Sequence, residues 1–302
     1  MQWIDNGTYI EICPPEAFCF KECLIFLGRS DLEVLHDIQD QRLMKLVKVN
    51  GEQVLLKITS KNHRLIVEFP LGEPSGKSKK EAADFIIDWF DLKKDLLNFY
   101  DVASRDVILQ PLADRYYGLR MIGIPDLFEA LTWAIMGQQI NLKFAYTLKK
   151  RFVEHFGEKR DYEGRSYWLY PNPETIAELE LEDLRNLQFT SRKAEYVLGV
   201  AKEIATGRLS KDSLIDLREP VKQHQALLSI KGVGAWTADY VMMKCLLEAS
   251  AFPVADVGLH NAIKKQLNLE TKPKLDEIRE AAKNWSGWEA YATFYLWRSL
   301  YE

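Results

Sequence analysis

The sequence is poor in the residues that mark secreted, membrane-spanning and metal-dependent proteins. It has four cysteines and five histidines in 302 residues. No stretch approaches the ~18 consecutive apolar residues that a helix needs to cross a bilayer. The first residues are acidic and lack the basic start and apolar core of a secretion signal. These absences predict a cytoplasmic protein.

Three of the four cysteines, Cys13, Cys19 and Cys23, lie close together in the sequence. No cysteine or histidine pair nearby completes a tetrahedral zinc site, so buried free thiols are the favoured interpretation. No cysteine follows Cys245, which excludes an iron–sulfur cluster near the C-terminal end.

The chain also lacks an excess of positive charge. Its formal net charge is -4, which argues against a protein that binds any nucleic acid through charge alone. A P-loop and the metalloprotease motif HExxH are both missing. The 47% of apolar and 28% of charged residues are typical of a globular protein with two or three core-bearing units. We expect a monomer with no obligate protein partner.

Two composition patterns divide the chain. Residues 41–50, 51–59 and 63–69 alternate like short strands, and the pair Asn50-Gly51 is a strong hairpin signal. Residues 79–100 have helical spacing, and from residue 111 the pattern is helical almost throughout, with a long periodic run over 126–156. Further helices are predicted after Asn172, over 191–206 and over 274–301, the last one broken near Gly287.

Residues 227–267 are the most informative segment. An apolar run is followed by the turn Lys231-Gly232-Val233-Gly234 and then by a second apolar run. Two glycines around one residue allow a tight turn between helices and a close approach to a ligand. The amides that begin the second helix would suit a phosphate.

One acid, Asp256, follows a short loop later, in the uncharged sequence FPVADVGL. Two interpretations are open for it. Aspartate is a good N-cap for the helix that the next residues predict. Beside a turn that binds phosphate, the same acid also suits chemistry on a nucleic acid.

Four stretches resemble the helix-hairpin-helix (HhH-GPD) DNA glycosylase superfamily, in particular its alkylation-repair branch of the 3-methyladenine DNA glycosylase II type. They are GLRMIGIPDLFEAL (118–131), IMGQQI (135–140), IKGVGAWTADY (230–240) and PVADVGL (253–259). The resemblance implies an α+β protein. Its parts are an antiparallel-sheet domain over residues 1–111 and a helical glycosylase domain, with two subdomains, over residues 112–302.

The resemblance also implies a role for individual residues. Asp256 matches the catalytic aspartate, and the hairpin Lys231, Gly232, Val233 and Gly234 matches the clamp on the DNA backbone. The carbonyls of Leu228, Ile230 and Val233 match those that hold Na⁺ or K⁺ beside a DNA phosphate; no other cofactor is implied. Gln139 falls where the family fills the gap left by an extruded base, although many alkylation-repair members have an aliphatic residue there.

The base pocket implied by the resemblance is aromatic. Trp236 and Tyr240 are four residues apart and share a helix face, and Trp288 matches a further pocket residue. Electron-rich rings attract the positive charge of a methylated purine. Ordinary core packing is the alternative for each ring. Bifunctional members carry a lysine at the position of Trp236, which forms a Schiff base with the sugar, so this chain is predicted to use water and to leave the DNA backbone intact.

The sequence therefore predicts a monofunctional DNA glycosylase that flips alkylated purines out of double-stranded DNA and hydrolyses the N-glycosidic bond. Such an enzyme works in base excision repair, and in a bacterium it would be associated with the nucleoid. Two alternatives remain: a glycosylase for oxidised or deaminated bases of the 8-oxoguanine branch, and a DNA-binding module without catalytic activity.

Overall fold

The computed structural model describes residues 2–301 and begins with an antiparallel sheet. Six strands pair in the order β1-β2-β6-β5-β4-β3. Their bounds are β1 (Trp3–Asp5), β2 (Tyr9–Ile12), β3 (Asp37–Gln39), β4 (Arg42–Val49), β5 (Glu52–Lys61) and β6 (Arg64–Glu68). The predicted α+β class and the antiparallel N-terminal sheet are confirmed.

The hairpin between β4 and β5 follows from its sequence. Asn50 and Gly51 have φ of 49° and 77°, the two positive values that a two-residue turn matching the strand twist requires. The turn pairs Val49 with Glu52. This register buries one set of alternating side chains under the helices and leaves the opposite face to be covered by another element.

Helices make up most of the rest of the chain. Those of the first half are α1 (Phe20–Leu27), α2 (Gly76–Trp89), α3 (Leu97–Ser104), α4 (Gln110–Arg115), α5 (Leu127–Gly137) and α6 (Leu142–Phe156). After the hairpin of β7 (Lys159–Tyr162) and β8 (Arg165–Trp168) come α7 (Pro173–Ala177), α8 (Leu181–Arg185), α9 (Ser191–Ala205), α10 (Lys211–Ile215), α11 (Pro220–Leu228), α12 (Ala235–Lys244), α13 (Val257–Gln266), α14 (Leu275–Ala282), a short 3-10 helix (Lys283–Trp285) and α15 (Glu289–Arg298). None of the helices within residues 2–301 combines the length and apolar character that crossing a membrane requires.

Two predicted helices are each divided in the structure. The segment 79–100 is interrupted after Trp89, because the buried guanidinium of Arg120 binds the carbonyls of Asp91 and Lys94 and holds Asp91 at a φ of 44°. The segment 126–156 breaks between α5 and α6, where Gln139 has a φ of 55° and Asn141 caps α6. The second break places Gln139 in an exposed turn.

The hairpin β7-β8 was not predicted, since a helical pattern surrounds it. It covers part of the second face of the sheet, where Tyr167 of β8 and Leu169, just after it, form a small apolar cluster with Met44, Leu46 and Leu55. The sheet is thus buried on both faces, by helices on one side and by this hairpin on part of the other.

Candidate active site

The predicted hairpin joins α11 to α12 through a tight turn. Gly232 has a φ of +92°, and a Cβ at this position would lie 2.3 Å from the ring of Tyr196 on α9. The amide of Val233, a buried residue, donates to the carbonyl of Ile230 at 3.0 Å. The glycine therefore serves both the backbone conformation and the packing of the turn on its neighbour.

Replacing Gly232 by alanine is expected to destabilise the fold by about 2 kcal/mol or more, because a left-handed φ and a steric clash act together. Gly234→Ala is the matched control. Gly234 has a φ of -95°, and its added Cβ would meet no atom within 4 Å. Chemical denaturation measures both changes. Equal stability losses in the two variants would contradict the role assigned to Gly232.

The outer surface of the hairpin is open. Gly234 and Ala235, which begin α12, are both exposed. Lys231 is also exposed and binds Glu195 at 2.5 Å. The turn thus leaves the start of α12 accessible, with a lysine beside it whose charge is partly offset.

The two glutamines after α5 take different positions. The side chain of Gln138 points at the hairpin, where its Nε2 donates to the carbonyl of Gly232 at 2.9 Å and to the hydroxyl of Thr237 at 3.0 Å. Gln139 is exposed and left-handed. Gln138 therefore fixes the turn that carries Gln139 relative to the hairpin, a role that the sequence did not reveal.

Asp256 is the N-cap of α13 and also accepts hydrogen bonds from two tryptophans. Its Oδ1 accepts from the amide of Leu259 and from Nε1 of Trp297, both at 2.8 Å, and its Oδ2 accepts from Nε1 of Trp236 at 3.1 Å. An ionised carboxylate accepts hydrogen bonds and donates none, so three donors suit the charged form. Asp256 can therefore act both as a helix cap and as a catalytic carboxylate, because the cap uses Oδ1 and leaves Oδ2 oriented by Trp236.

Aromatic rings form a continuous wall next to this carboxylate. The ring of Tyr240 lies 5.6 Å from that of Trp236 and 6.1 Å from that of Trp297. Its hydroxyl accepts from Nε1 of Trp133 at 2.8 Å. Burial raises the pKa of Tyr240 well above its usual value. The structure thus brings Asp256, Trp236 and Tyr240 together.

Trp288 is not part of this wall. Its ring contacts within residues 2–301 are with Phe99 and Tyr291, at 5.9 Å and 5.8 Å. It is the N-cap residue of α15, and Trp297, near the end of that helix, reaches Asp256. The structure therefore does not bring Trp288 to the other predicted pocket residues and brings Trp297 there instead.

Sequence reasoning missed Trp297 because no local motif surrounds it. The only related signal is Gly258, two residues after Asp256. A Cβ at Gly258 would lie 3.2 Å from Nε1 of Trp297 and 2.9 Å from Oδ1 of Asp256. The glycine leaves room for the indole to reach the carboxylate.

We expect Trp297→Phe to slow base release about tenfold or more. The phenyl ring keeps most of the packing on Tyr240, but the charged hydrogen bond that orients Asp256 is lost. Single-turnover assays on methylated DNA measure the rate. Trp288→Phe serves as the control and should reduce the rate less; an equal loss would contradict the assignment of Trp297.

Comparisons with known proteins identify the family of the chain. Residues 132–287, more than half of the chain, match the HhH-GPD superfamily of base excision DNA repair proteins. Residues 12–131 match the N-terminal domain of 8-oxoguanine DNA glycosylase. The chain therefore belongs to the HhH-GPD superfamily, as the hairpin and the downstream aspartate predicted.

Individual relatives are similar along their whole length. A DNA-3-methyladenine glycosylase of Bacillus subtilis is 42% identical, and the alignment covers 100% of both chains. The structure of a 3-methyladenine DNA glycosylase from Archaeoglobus fulgidus superposes with a TM-score of 0.81 at 22% identity, over 95% of this chain and 97% of that one. An 8-oxoguanine glycosylase/lyase of Clostridium acetobutylicum, bound to double-stranded DNA, superposes with a TM-score of 0.77 at 20% identity, over 99% and 97%. These last two similarities establish the shared fold.

Proposed function

We propose that this protein is a DNA glycosylase that removes alkylated purines, of the 3-methyladenine type, in base excision repair. The observation that carries the proposal is the carboxylate of Asp256, held by two indole N–H groups beside an aromatic wall and close in sequence to the DNA-binding hairpin. The Bacillus subtilis relative, named for 3-methyladenine, supports the choice of alkylated bases.

The proposed reaction begins with extrusion of the damaged nucleotide from double-stranded DNA. As the base leaves, the sugar develops positive charge, as in other glycoside hydrolyses. Among the described residues, Oδ2 of Asp256 has one hydrogen-bond donor, Trp236. This oxygen therefore retains an acceptor position from which it can stabilise the sugar and orient a water molecule.

The aromatic wall suits the leaving base. A purine methylated at N3 or N7 carries a positive charge, and the faces of Trp236 and Tyr240 attract a cation. Such a surface favours alkylated over normal bases without hydrogen bonds to the base edge. The rings of Trp236 and Tyr240 therefore favour alkylated purines over the neutral oxidised bases of the alternative branch.

We further infer that the enzyme is monofunctional. The position that carries the Schiff-base lysine in bifunctional members is occupied here by Trp236, whose indole donates to the carboxylate. Lys231 lies earlier in the turn and binds Glu195. With no amine beside Asp256 among these groups, water is the proposed nucleophile.

The DNA contacts follow from the hairpin. The open start of α12, with Gly234 and Ala235 exposed, fits a phosphate of the DNA backbone. Exposed Gln139 would fill the space that the extruded base leaves in the stack.

A monovalent cation at the hairpin would depend on backbone carbonyls. Residues 2–301 hold no cluster of three or more His, Cys, Asp or Glu side chains placed to bind a metal ion. The carbonyls of Leu228, Ile230 and Val233 would hold Na⁺ or K⁺, and the one on Ile230 keeps a second lone pair beyond its bond to Val233. The cation would offset phosphate charge.

Incubation with methylated DNA tests the proposal directly. We expect chromatography to detect free 3-methyladenine and 7-methylguanine, and strand breaks to arise only after alkali is added. Strand cleavage without alkali would contradict the monofunctional mechanism. Binding to duplex DNA without release of any base would favour the non-catalytic module, and release of 8-oxoguanine alone would favour the second branch.

A further inference from the structure

A cavity lined by several charged side chains adjoins the aromatic wall at Tyr240. The volume of this cavity is about 70 Å³, which is enough for roughly five water molecules. Tyr240, Trp133 and Tyr146 line it from the helical part, and Arg29, just after α1, lines it from the N-terminal part. Tyr240 therefore belongs both to this cavity and to the wall beside Asp256.

Arg29 is the residue with unused hydrogen-bonding capacity in this cavity. Its guanidinium lies 4.2 Å from the ring centroid of Phe26 and 5.7 Å from that of Tyr146. Of its five N–H donors, one binds the carbonyl of Phe26 at 2.8 Å. Within residues 2–301, no carboxylate forms an ion pair with it. The aromatic rings thus hold a half-buried cation whose remaining donors have no hydrogen-bond acceptor among the described residues.

The anionic groups of the cavity are already bound elsewhere. Both Glu33 and Glu129 bind Lys149, at 3.0 Å and 3.3 Å. Asp126 caps α5. None of these carboxylates forms an ion pair with Arg29 among the described residues, although the charge of Glu33 is one of the influences that raise the pKa of Arg29.

The remaining cations of the cavity are also occupied. Lys45 donates to the carbonyl of Leu35 at 3.2 Å, and Lys244 donates to the carbonyl of Ile122. Arg29 differs from these lysines because its guanidinium has five donors in a fixed plane, of which the bond to Phe26 uses one.

The position of Tyr240 relates this donor to the flipped base. The ring of Tyr240 lies 5.6 Å from that of Trp236, whose indole donates to Asp256, and Tyr240 also lines the cavity together with Arg29. We propose that Arg29 is a specificity-determining residue that donates a hydrogen bond to the carbonyl oxygen at C6 of an alkylated purine. This inference rests on the proposed glycosylase function.

The consequence is a preference among damaged bases. A guanidinium is a pure donor, so it binds the 6-oxo group of 7-methylguanine but opposes the 6-amino group of 3-methyladenine, which also donates. Both bases are cationic, so repulsion from Arg29 affects them alike and cancels in the ratio of their rates. That ratio therefore reports the different hydrogen bonding of the 6-oxo and 6-amino groups with Arg29.

The test compares the release of 7-methylguanine and 3-methyladenine from the same methylated DNA. In Arg29→Leu we expect the ratio of 7-methylguanine to 3-methyladenine rate constants to fall about tenfold, the effect of losing a charged hydrogen bond. Arg29→Lys, which keeps a charged donor, should restore part of the ratio. Release of hypoxanthine, a neutral 6-oxopurine, should decrease in Arg29→Leu as well.

The matched control is Arg64→Leu, since Arg64 forms an exposed ion pair with Glu11 on the sheet. It should leave the ratio unchanged. A parallel loss for both bases in Arg29→Leu would indicate a structural or DNA-backbone role and would overturn the inference. If the wild type released neither base, the proposed function itself would fail; an unchanged ratio in an active Arg29→Leu variant would overturn this inference alone.

Discussion

Asp256→Asn is expected to lower the rate of base release about 10³-fold while DNA binding is retained. The carboxylate supplies the negative charge opposite the developing cation of the sugar, and electrostatic groups of this kind contribute about 10²–10³ to catalytic rates. Loss of general-base assistance to water adds to the effect. Single-turnover release of 3-methyladenine measures the rate, and a fluorescence anisotropy titration with duplex DNA measures binding.

Asparagine is a well-matched replacement because it preserves the structural role of the residue. It caps helices as well as aspartate does, so the bond to the amide of Leu259 should persist. With the amide oxygen facing Leu259 and Trp297, the NH₂ group faces Nε1 of Trp236, another donor. We therefore expect a folded protein with a disturbed contact at Trp236.

Thermal unfolding distinguishes a catalytic from a structural role for Asp256. A melting temperature close to that of the wild type, with activity lost, supports catalysis by the carboxylate. Full activity in Asp256→Asn would disprove the mechanism, and the helix cap would then be the whole role of the residue.

The hairpin, the strands β4 to β6 and the position of Asp256 could be predicted because their signals are local. Gly232 and the pair Asn50-Gly51 adopt positive φ values. Glycine adopts such values readily because it has no Cβ, so the residue type itself indicates the turn. Alternating apolar residues indicate strands in the same direct way.

The partners of Asp256 depend on contacts between distant segments. Trp297 is 41 residues from Asp256 along the chain, and nothing in its neighbourhood distinguishes it from the other tryptophans. Trp288 is the N-cap residue of the helix that contains Trp297 and was matched to a pocket residue of the family, yet its ring packs on Phe99. Sequence spacing identified the helix but not which end of it reaches the site.

The division of the predicted helix 79–100 has a similar cause. Helical periodicity continues through Asp91, but the guanidinium of the fully buried Arg120 donates hydrogen bonds to the backbone carbonyls of Asp91 and Lys94. Tyr291 also donates to the side chain of Asp91, at 2.6 Å. Local propensity was overridden by tertiary hydrogen bonds that the periodicity does not contain.

A buried ion cluster joins the two halves of the chain, and we expect its loss to lower the stability of the fold strongly. Lys149 on α6 binds Glu33, from the segment between α1 and β3, and Glu129 on α5. The side chains are 8%, 8% and 15% exposed, respectively. Burial opposes the charge on Glu33, but Lys149 outweighs it and holds the pKa of Glu33 well below its usual value. Likewise, the two glutamates raise the pKa of Lys149 despite its burial.

Lys149→Met should lower the free energy of unfolding by about 3–5 kcal/mol, because it leaves two buried carboxylates without their cation. Chemical denaturation at neutral pH measures the loss. Lys150→Met is the matched control. The ammonium of Lys150 lies 3.8 Å from Glu154, and both side chains are about two-fifths exposed. This substitution should therefore lower the free energy of unfolding by no more than ~1 kcal/mol. Adding Glu33→Gln and Glu129→Gln to Lys149→Met should recover part of the stability, since a neutral trio carries no unpaired charge.

The pH dependence identifies the carboxylates as the cause. A glutamate with a lowered pKa in the folded state contributes stability above its unfolded value, near 4.5, and loses this contribution as the pH falls. In Lys149→Met the carboxylate of Glu33 loses the cation that lowers its pKa, so it takes up a proton more readily and is relieved of its charge. The stability gap between wild type and variant should therefore be widest at neutral pH and narrow below about pH 4.5. A gap that is constant with pH would indicate lost side-chain packing, and the ion cluster would then not be the source of the stability.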